Sequence, residues 1–287
     1  MPRILLCLVL LGLPKLMAAG TEKNIIYKVE GSDTLRLDLY LPDDAQAPVP
    51  LVVWIHGGSW QRGSKDDPNP TPDLVKQGYA VACINYRLSH QALFPAQIID
   101  CQSAIRWLKA RAALYGIDSA RVGVWGASAG GHLSALVGTA WHYTPWTASG
   151  PYGEVSGKVQ AVCDWYGPTD FLRMNDVPGH INHHAPGSPE SKLLGGPIEA
   201  LPEQVKQANP ITYITRSTPP FLIMHGSNDL KVIPNQSERL HQALQAQGQP
   251  SELLFLEGLG HGGAGWDAEV DQVLLFFNKH LKDKTNN

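Results

Sequence analysis

The chain has 287 residues, 43% of them hydrophobic and 17% charged, with 23 Lys+Arg against 26 Asp+Glu and a formal net charge of −3. That length can bury a large core in one or two domains, and the slight acidity excludes the basic excess of a nucleic-acid binder. No uninterrupted apolar run reaches the roughly 18 residues of a membrane-spanning helix.

Residues 1–20 are expected to be a secretory signal peptide. Arg3 supplies the positive start, residues 4–13 are an apolar run, and Met17-Ala18-Ala19-Gly20 offers small residues for cleavage. Residues 21–287 then form a single domain, secreted or periplasmic. It keeps Cys83, Cys101 and Cys163, an odd number in which no bridge is expected. Residues 24–30 and 34–41 read as a hairpin, the second strand alternating at period two. Residues 49–55 are continuously apolar, as suits a strand buried on both faces. Similar runs fall at 79–85, 122–125, 159–165, 221–225 and 252–256. Helical patterns cover 95–115, 128–140, 236–246 and 268–281. The first carries a stripe of Ile98, Ile99, Ala104, Ile105, Leu108 and Ala112, with its basic residues outside the stripe. The alternation predicts an α/β fold: a mostly parallel sheet, an antiparallel hairpin at its start, and helices on both faces. Residues 142–157 and 171–209 break the alternation. The second follows a strand expected to end at the sheet's carboxyl edge, where insertions shape ligand crevices.

The segment with chemical content is Gly126-Ala127-Ser128-Ala129-Gly130, placed between a strand and a helix. This is the pattern of a nucleophile elbow, in which a tight turn pushes the serine hydroxyl clear of the sheet. Side chains two positions before and after the serine would clash where strand and helix meet, hence the glycines. A serine needs a base, an orienting acid and oxyanion donors. The chain order for such a site is serine, acid, histidine. His241 and His280 fall inside amphipathic helices, whereas His261 lies in a glycine-flanked loop after the strand at 252–256, so His261 is the expected base. Asp229, on the loop after the strand at 221–225, is the expected acid. Its rivals are Asp170, on another post-strand loop and more suited to a helix cap, and Glu257, very close in chain to the histidine. The oxyanion donors should be the amide of Ala129 and amides of the loop His56-Gly57-Gly58-Ser59-Trp60, with His56 a brace for that loop.

With these motifs stand Asn85-Tyr86-Arg87-Leu88-Ser89, Tyr166-Gly167-Pro168-Thr169-Asp170 and His225-Gly226-Ser227-Asn228-Asp229. Together they resemble the α/β-hydrolase superfamily, within it the hormone-sensitive-lipase-like carboxylesterases, and most of all the bifunctional feruloyl and acetylxylan esterases. The resemblance covers about residues 49–278. It implies an α/β-hydrolase fold with a small cap or none, a triad of Ser128, Asp229 and His261, and an oxyanion hole from the backbone of Gly58, Ser59 and Ala129. Many relatives carry glycine where Ser59 stands. A backbone donor needs no particular side chain, so the departure touches the assignment of that N–H rather than the chemistry.

The expected function is therefore a secreted serine carboxylesterase working through an acyl-enzyme, with no cofactor. By the resemblance its substrates are short acyl, feruloyl or acetyl esters of plant polysaccharide. Two alternatives remain at this level: a serine amide hydrolase, aminopeptidase-like or arylformamidase-like, and a catalytically inactive hydrolase fold used for binding. His180, His183 and His184 lack an acid or cysteine at ligand spacing, so no metal is expected. No nucleic-acid partner and no membrane span are expected. The sequence does not give the oligomeric state.

Overall fold

A computed structural model describes residues 20–43 and 48–282, so the expected leader, apart from Gly20, lies outside the described residues. In chain order the elements are β1 (Gly20–Glu30), β2 (Asp33–Leu41), β3 (Val49–Ile55), α1 (Pro72–Lys76), β4 (Ala80–Ile84), α2 (Ala96–Ala110) and α3 (Ala112–Tyr115). Then come β5 (Ile117–Ala127), α4 (Ala129–Thr139), α5 (Thr144–Thr147), β6 (Ala161–Trp165), α6 (Pro189–Leu194) and α7 (Pro202–Ala208). The chain closes through β7 (Phe221–Gly226), α8 (Asn235–Ala246), β8 (Ser251–Leu256) and α9 (Val270–Phe277).

All eight strands join one sheet in the order β1-β2-β4-β3-β5-β6-β7-β8. β1 with β2 and β2 with β4 are antiparallel, and every other neighbour is parallel. This is the α/β-hydrolase fold. The continuous apolar runs have a plain cause: β3, β4, β6 and β7 are buried at every position, because helices cover both faces of a parallel sheet. Alternation at period two still sorts the side chains. Leu51, Val53 and Ile55 join the core on one face, while Val52 and Trp54 join the core on the other.

Three details depart from the sequence reading. The helix expected at 95–115 breaks at Arg111 into α2 and α3, and ends on left-handed Gly116. The helix expected at 268–281 is regular only over α9, with a 3-10 turn before it and a π-helical turn after it. Finally, Arg106 is not outside the buried stripe. It is 1% exposed and its guanidinium donates to Thr147 O at 3.0 Å, because residues 142–157 fold across that face of α2. Asp100 on α2 is buried too, accepting from Lys28 Nζ at 2.8 Å and from Arg87 Nε at 2.8 Å. The Asn85–Ser89 motif therefore ties the hairpin to the first large helix. Cys83, Cys101 and Cys163 are free and buried. Among the described residues no helix is long and apolar enough to cross a membrane.

Candidate active site

Ser128 stands between β5 and α4 with φ 57° and ψ −121°, a left-handed conformation that costs a residue with a Cβ. The turn survives because its surroundings over-determine it. Ser128 N donates to Trp165 O at 2.8 Å, and His132 N to Ser128 O at 3.0 Å. The two flanking glycines are obligatory for packing: a Cβ on Gly126 would lie 2.3 Å from Gly130 O, and one on Gly130 would lie 2.0 Å from Ile55 O. The helix thus meets two strands at backbone contact, and the serine is lifted out of the sheet.

The carboxyl ends of β7 and β8 deliver the other two groups. His261 Nε2 is 2.8 Å from Ser128 Oγ, and His261 Nδ1 is 2.6 Å from Asp229 Oδ2. An ionised carboxylate only accepts, so Nδ1 carries the ring proton and donates to it, leaving Nε2 to accept from the serine hydroxyl. Asp229 is 1% exposed. Burial pushes its pKa up, but hydrogen bonds from His225 and His261 outweigh burial and hold it well below the usual carboxylate range. Its Oδ1 accepts from the amides of Lys231 and Val232 at 2.9 and 3.0 Å. The rival acids are placed otherwise: Asp170 pairs with Arg239 at 2.8 Å and makes no side-chain capping bond to the 3-10 turn that follows it, and Glu257 is exposed.

The loop after β3 closes over the serine. A Cβ on Gly57 would come within 3.4 Å of Ser128 Cβ, which fixes how near this backbone runs. Gly58, Ser59 and Trp60 all have positive φ, 108°, 57° and 56°, so Ser59 adopts a conformation that favours glycine. Among the described residues the amides of Gly58 and Ser59 donate to no backbone acceptor. The Ala129 amide heads α4, where the first-turn N–H groups have no intrahelical partner. All three expected oxyanion donors therefore border one cleft with Ser128 and His261, of about 320 Å³. His56 braces the loop: its ring stacks on Tyr86 at 4.3 Å, its Nδ1 lies 2.7 Å from Gly57 O, and burial pushes its pKa down.

Several supporting residues escaped the sequence reading. His225 Nε2 donates to Val232 O at 2.8 Å and lies 3.2 Å from Asp229 Oδ2, while its Nδ1 accepts from Ser237 at 2.6 Å. Its position in His225-Gly226-Ser227-Asn228-Asp229, four residues before the acid, was the available signal. His132 is fully buried, accepts from Trp60 Nε1 at 3.2 Å and donates to Ala208 O at 2.7 Å. Burial pushes its pKa down to about 4, so it is a neutral link between α4, the glycine loop and α7. Residues 171–209 furnish one wall of the cleft through Ile181, His183, Pro189 and Glu190. Two of the three histidines of that segment lie beside separate carboxylates, His183 by Glu190 and His184 by Glu199, each at 3.0 Å. Among the described residues no group of three candidate ligands is placed to hold a metal.

Esterase LipC of Mycobacterium tuberculosis is 32% identical over 269 residues, covering 90% of this chain and 65% of LipC. The chain spans about half to two thirds of the length of the curated relatives it matches. A bifunctional GH43-CE protein of Bacteroides eggerthii superimposes with a TM-score of 0.81 and 34% identity, covering 90% of this chain and 35% of that one. A truncated carbohydrate esterase from gut microbiota gives a TM-score of 0.80 and 29% identity, covering 91% of this chain and 97% of that one. Residues 37–244, which hold Ser128, Asp229 and the glycine loop, match the family described as BD-FAE, and the chain belongs to that family.

Proposed function

We propose that this protein is a serine carboxylic ester hydrolase that works through an acyl-enzyme, with Ser128 as nucleophile, His261 as base and Asp229 as the acid that orients it. The observation that carries the reading is the hydrogen-bonded series from Asp229 through His261 to Ser128, ending in an open cleft. Ser128 Oγ attacks the ester carbonyl while His261 Nε2 takes its proton. The carbonyl oxygen becomes an oxyanion facing the amides of Gly58, Ser59 and Ala129, each such donor being worth about 3 kcal/mol of barrier. The carbon–oxygen bond to the alcohol breaks as His261 returns the proton to the leaving oxygen. Water then attacks the acyl-serine, loses a proton to His261, and the second collapse frees the acid and restores the Ser128 hydroxyl. Asp229 keeps its charge throughout and stabilises the imidazolium.

For substrates the proposal is short acyl, feruloyl or acetyl esters borne on plant polysaccharide, supported by family membership and by the likeness to a structure named as a carbohydrate esterase. Export, supported by the pattern of residues 1–20, belongs to the same proposal and is tested by N-terminal sequencing of protein recovered outside the cytoplasm. Turnover is tested with 4-nitrophenyl acetate, methyl ferulate and an aminoacyl anilide. Ester hydrolysis that vanishes in Ser128→Ala, with an unchanged circular dichroism spectrum, is the expected result. Fast anilide turnover with silent esters would replace the reading by an amidase, and an unreactive Ser128 toward a fluorophosphonate probe by a binding protein.

A further inference from the structure

Glu190 is the second residue of α6, in the wall of the cleft that holds Ser128 and His261, and it is 2% exposed. Its Oε2 lies 3.0 Å from His183 Nδ1. The contact is off the line of a hydrogen bond, and neither atom has a hydrogen-bond partner among the described residues. His183 is buried as well, with its Nε2–H donating to Lys231 O at 2.9 Å. Burial alone would push the imidazole down, but the Glu190 carboxylate and the Lys231 carbonyl outweigh it and raise its pKa. The pair is therefore a buried carboxyl group beside an imidazole whose hold on a proton it strengthens, at the edge of the cleft. A buried carboxylate left short of hydrogen bonds is costly in an empty protein. Such a group is a recognition element when a ligand supplies the missing donor.

The surrounding charges select which donor. An ammonium would meet the like charges of Arg62 and Lys231, which also line the cleft. A carboxylate or phosphate on the ligand would be repelled by Glu190 itself. A hydroxyl adds no charge and donates one hydrogen bond, which the Glu190 carboxyl group in the cleft wall can accept. Resting on the ester-hydrolase reading of this cleft, we propose that Glu190, positioned by His183, accepts a hydrogen bond from a hydroxyl of the ester substrate and so determines specificity for hydroxyl-bearing esters. The hydroxyl has two sources of the same chemistry: the phenol of an aromatic acyl group, or a ring hydroxyl of a sugar on the alcohol side.

The experiment compares kcat/KM for matched pairs on the full chain. The acyl arm sets methyl 4-hydroxycinnamate against methyl cinnamate, and the alcohol arm sets monoacetylated methyl xyloside against cyclohexyl acetate. In one arm the wild-type protein should favour the hydroxylated member about tenfold or more, as for a hydrogen bond to a charged acceptor. In Glu190→Gln, which keeps the shape and loses the charge, that preference should shrink about fivefold or more. The ratio within a pair cancels any loss of folded protein, and the wild-type comparison needs no variant. The arm that responds identifies the source of the hydroxyl. Ratios below about threefold in both arms, or a Glu190→Gln variant that slows both members of each pair equally, would overturn the proposal while leaving the hydrolase reading intact. Absence of turnover on every ester, 4-nitrophenyl acetate included, would overturn both.

Discussion

The backbone of Ser128 holds its hydroxyl toward His261 at φ 57°, where a side chain is strained by about 1–3 kcal/mol. Two substitutions separate that strain from the lost hydroxyl. Ser128→Ala keeps a Cβ in the strained turn, whereas Ser128→Gly removes it and loses about 0.4–1 kcal/mol to the greater freedom of the unfolded chain. Ser128→Gly should therefore be more stable than Ser128→Ala by about 1 kcal/mol in urea unfolding, with both inactive. A Ser128→Gly midpoint below that of Ser128→Ala would mean the turn is unstrained. The same relay predicts the role of Asp229. Asp229→Asn keeps the size but loses the charge that fixes Nδ1–H, so turnover should fall by about 10³–10⁴, with Ser128 still present to be labelled slowly by a fluorophosphonate. The meeting of Ser128, Asp229 and His261 was legible in the sequence because each sits on a strand-end loop with a local signature. Glu190 and His183 were not: their pairing depends on how residues 171–209 fold back onto the acid loop, where His180 N donates to Leu230 O at 2.6 Å. No local pattern encodes that return.

Elements meet at this site by backbone contact rather than by side-chain interlocking. β3, β5 and α4 approach so closely that Gly130 leaves no room for a methyl group, since its Cβ would sit 2.0 Å from Ile55 O. Helix propensity favours alanine over glycine by about 1 kcal/mol, yet here the contact is with a strand carbonyl that cannot turn aside. Gly130→Ala should destabilise the fold by about 2 kcal/mol or more, and its remaining folded fraction should show a displaced serine with reduced turnover. A neutral or stabilising change in chemical denaturation would contradict the packing. The strands of the sheet were legible for the complementary reason: burial on both faces leaves an unbroken apolar run whose only interruption is a turn. Helix ends were less so. The break at Arg111 and the irregular turns around α9 depend on what each end packs against, and the short α1 lies in a Pro-rich stretch that carries no periodic stripe.

At the scale of the whole molecule, two buried carboxyl groups beneath the candidate active site bend stability in opposite directions with pH. Asp229 has its pKa lowered in the folded protein, so its contribution is full above the unfolded value near 4 and is lost as pH falls below that value toward the lower folded one. Asp164, wholly buried on β6, has its pKa pushed up to about 7, chiefly by burial and against the hydrogen bond it accepts from Gly167 N at 2.9 Å. The folded protein therefore keeps the Asp164 proton from about pH 4 to about pH 7 while the unfolded chain releases it. Folded binds more protons than unfolded over that interval, so this group makes stability fall as pH rises, with no further change above about 7. Its second oxygen has no hydrogen-bond partner among the described residues, so an amide there faces the same surroundings as the protonated acid. Asp164→Asn should match the wild-type protein near pH 4 and exceed it near pH 8 by a few kcal/mol at most. Urea unfolding of the two proteins at several pH values measures the difference directly. A constant offset across the range would show that Asp164 is already ionised in the fold, and that the close approach of Gly131 and Gly167 to its carboxylate compensates a charge rather than accommodating a neutral acid.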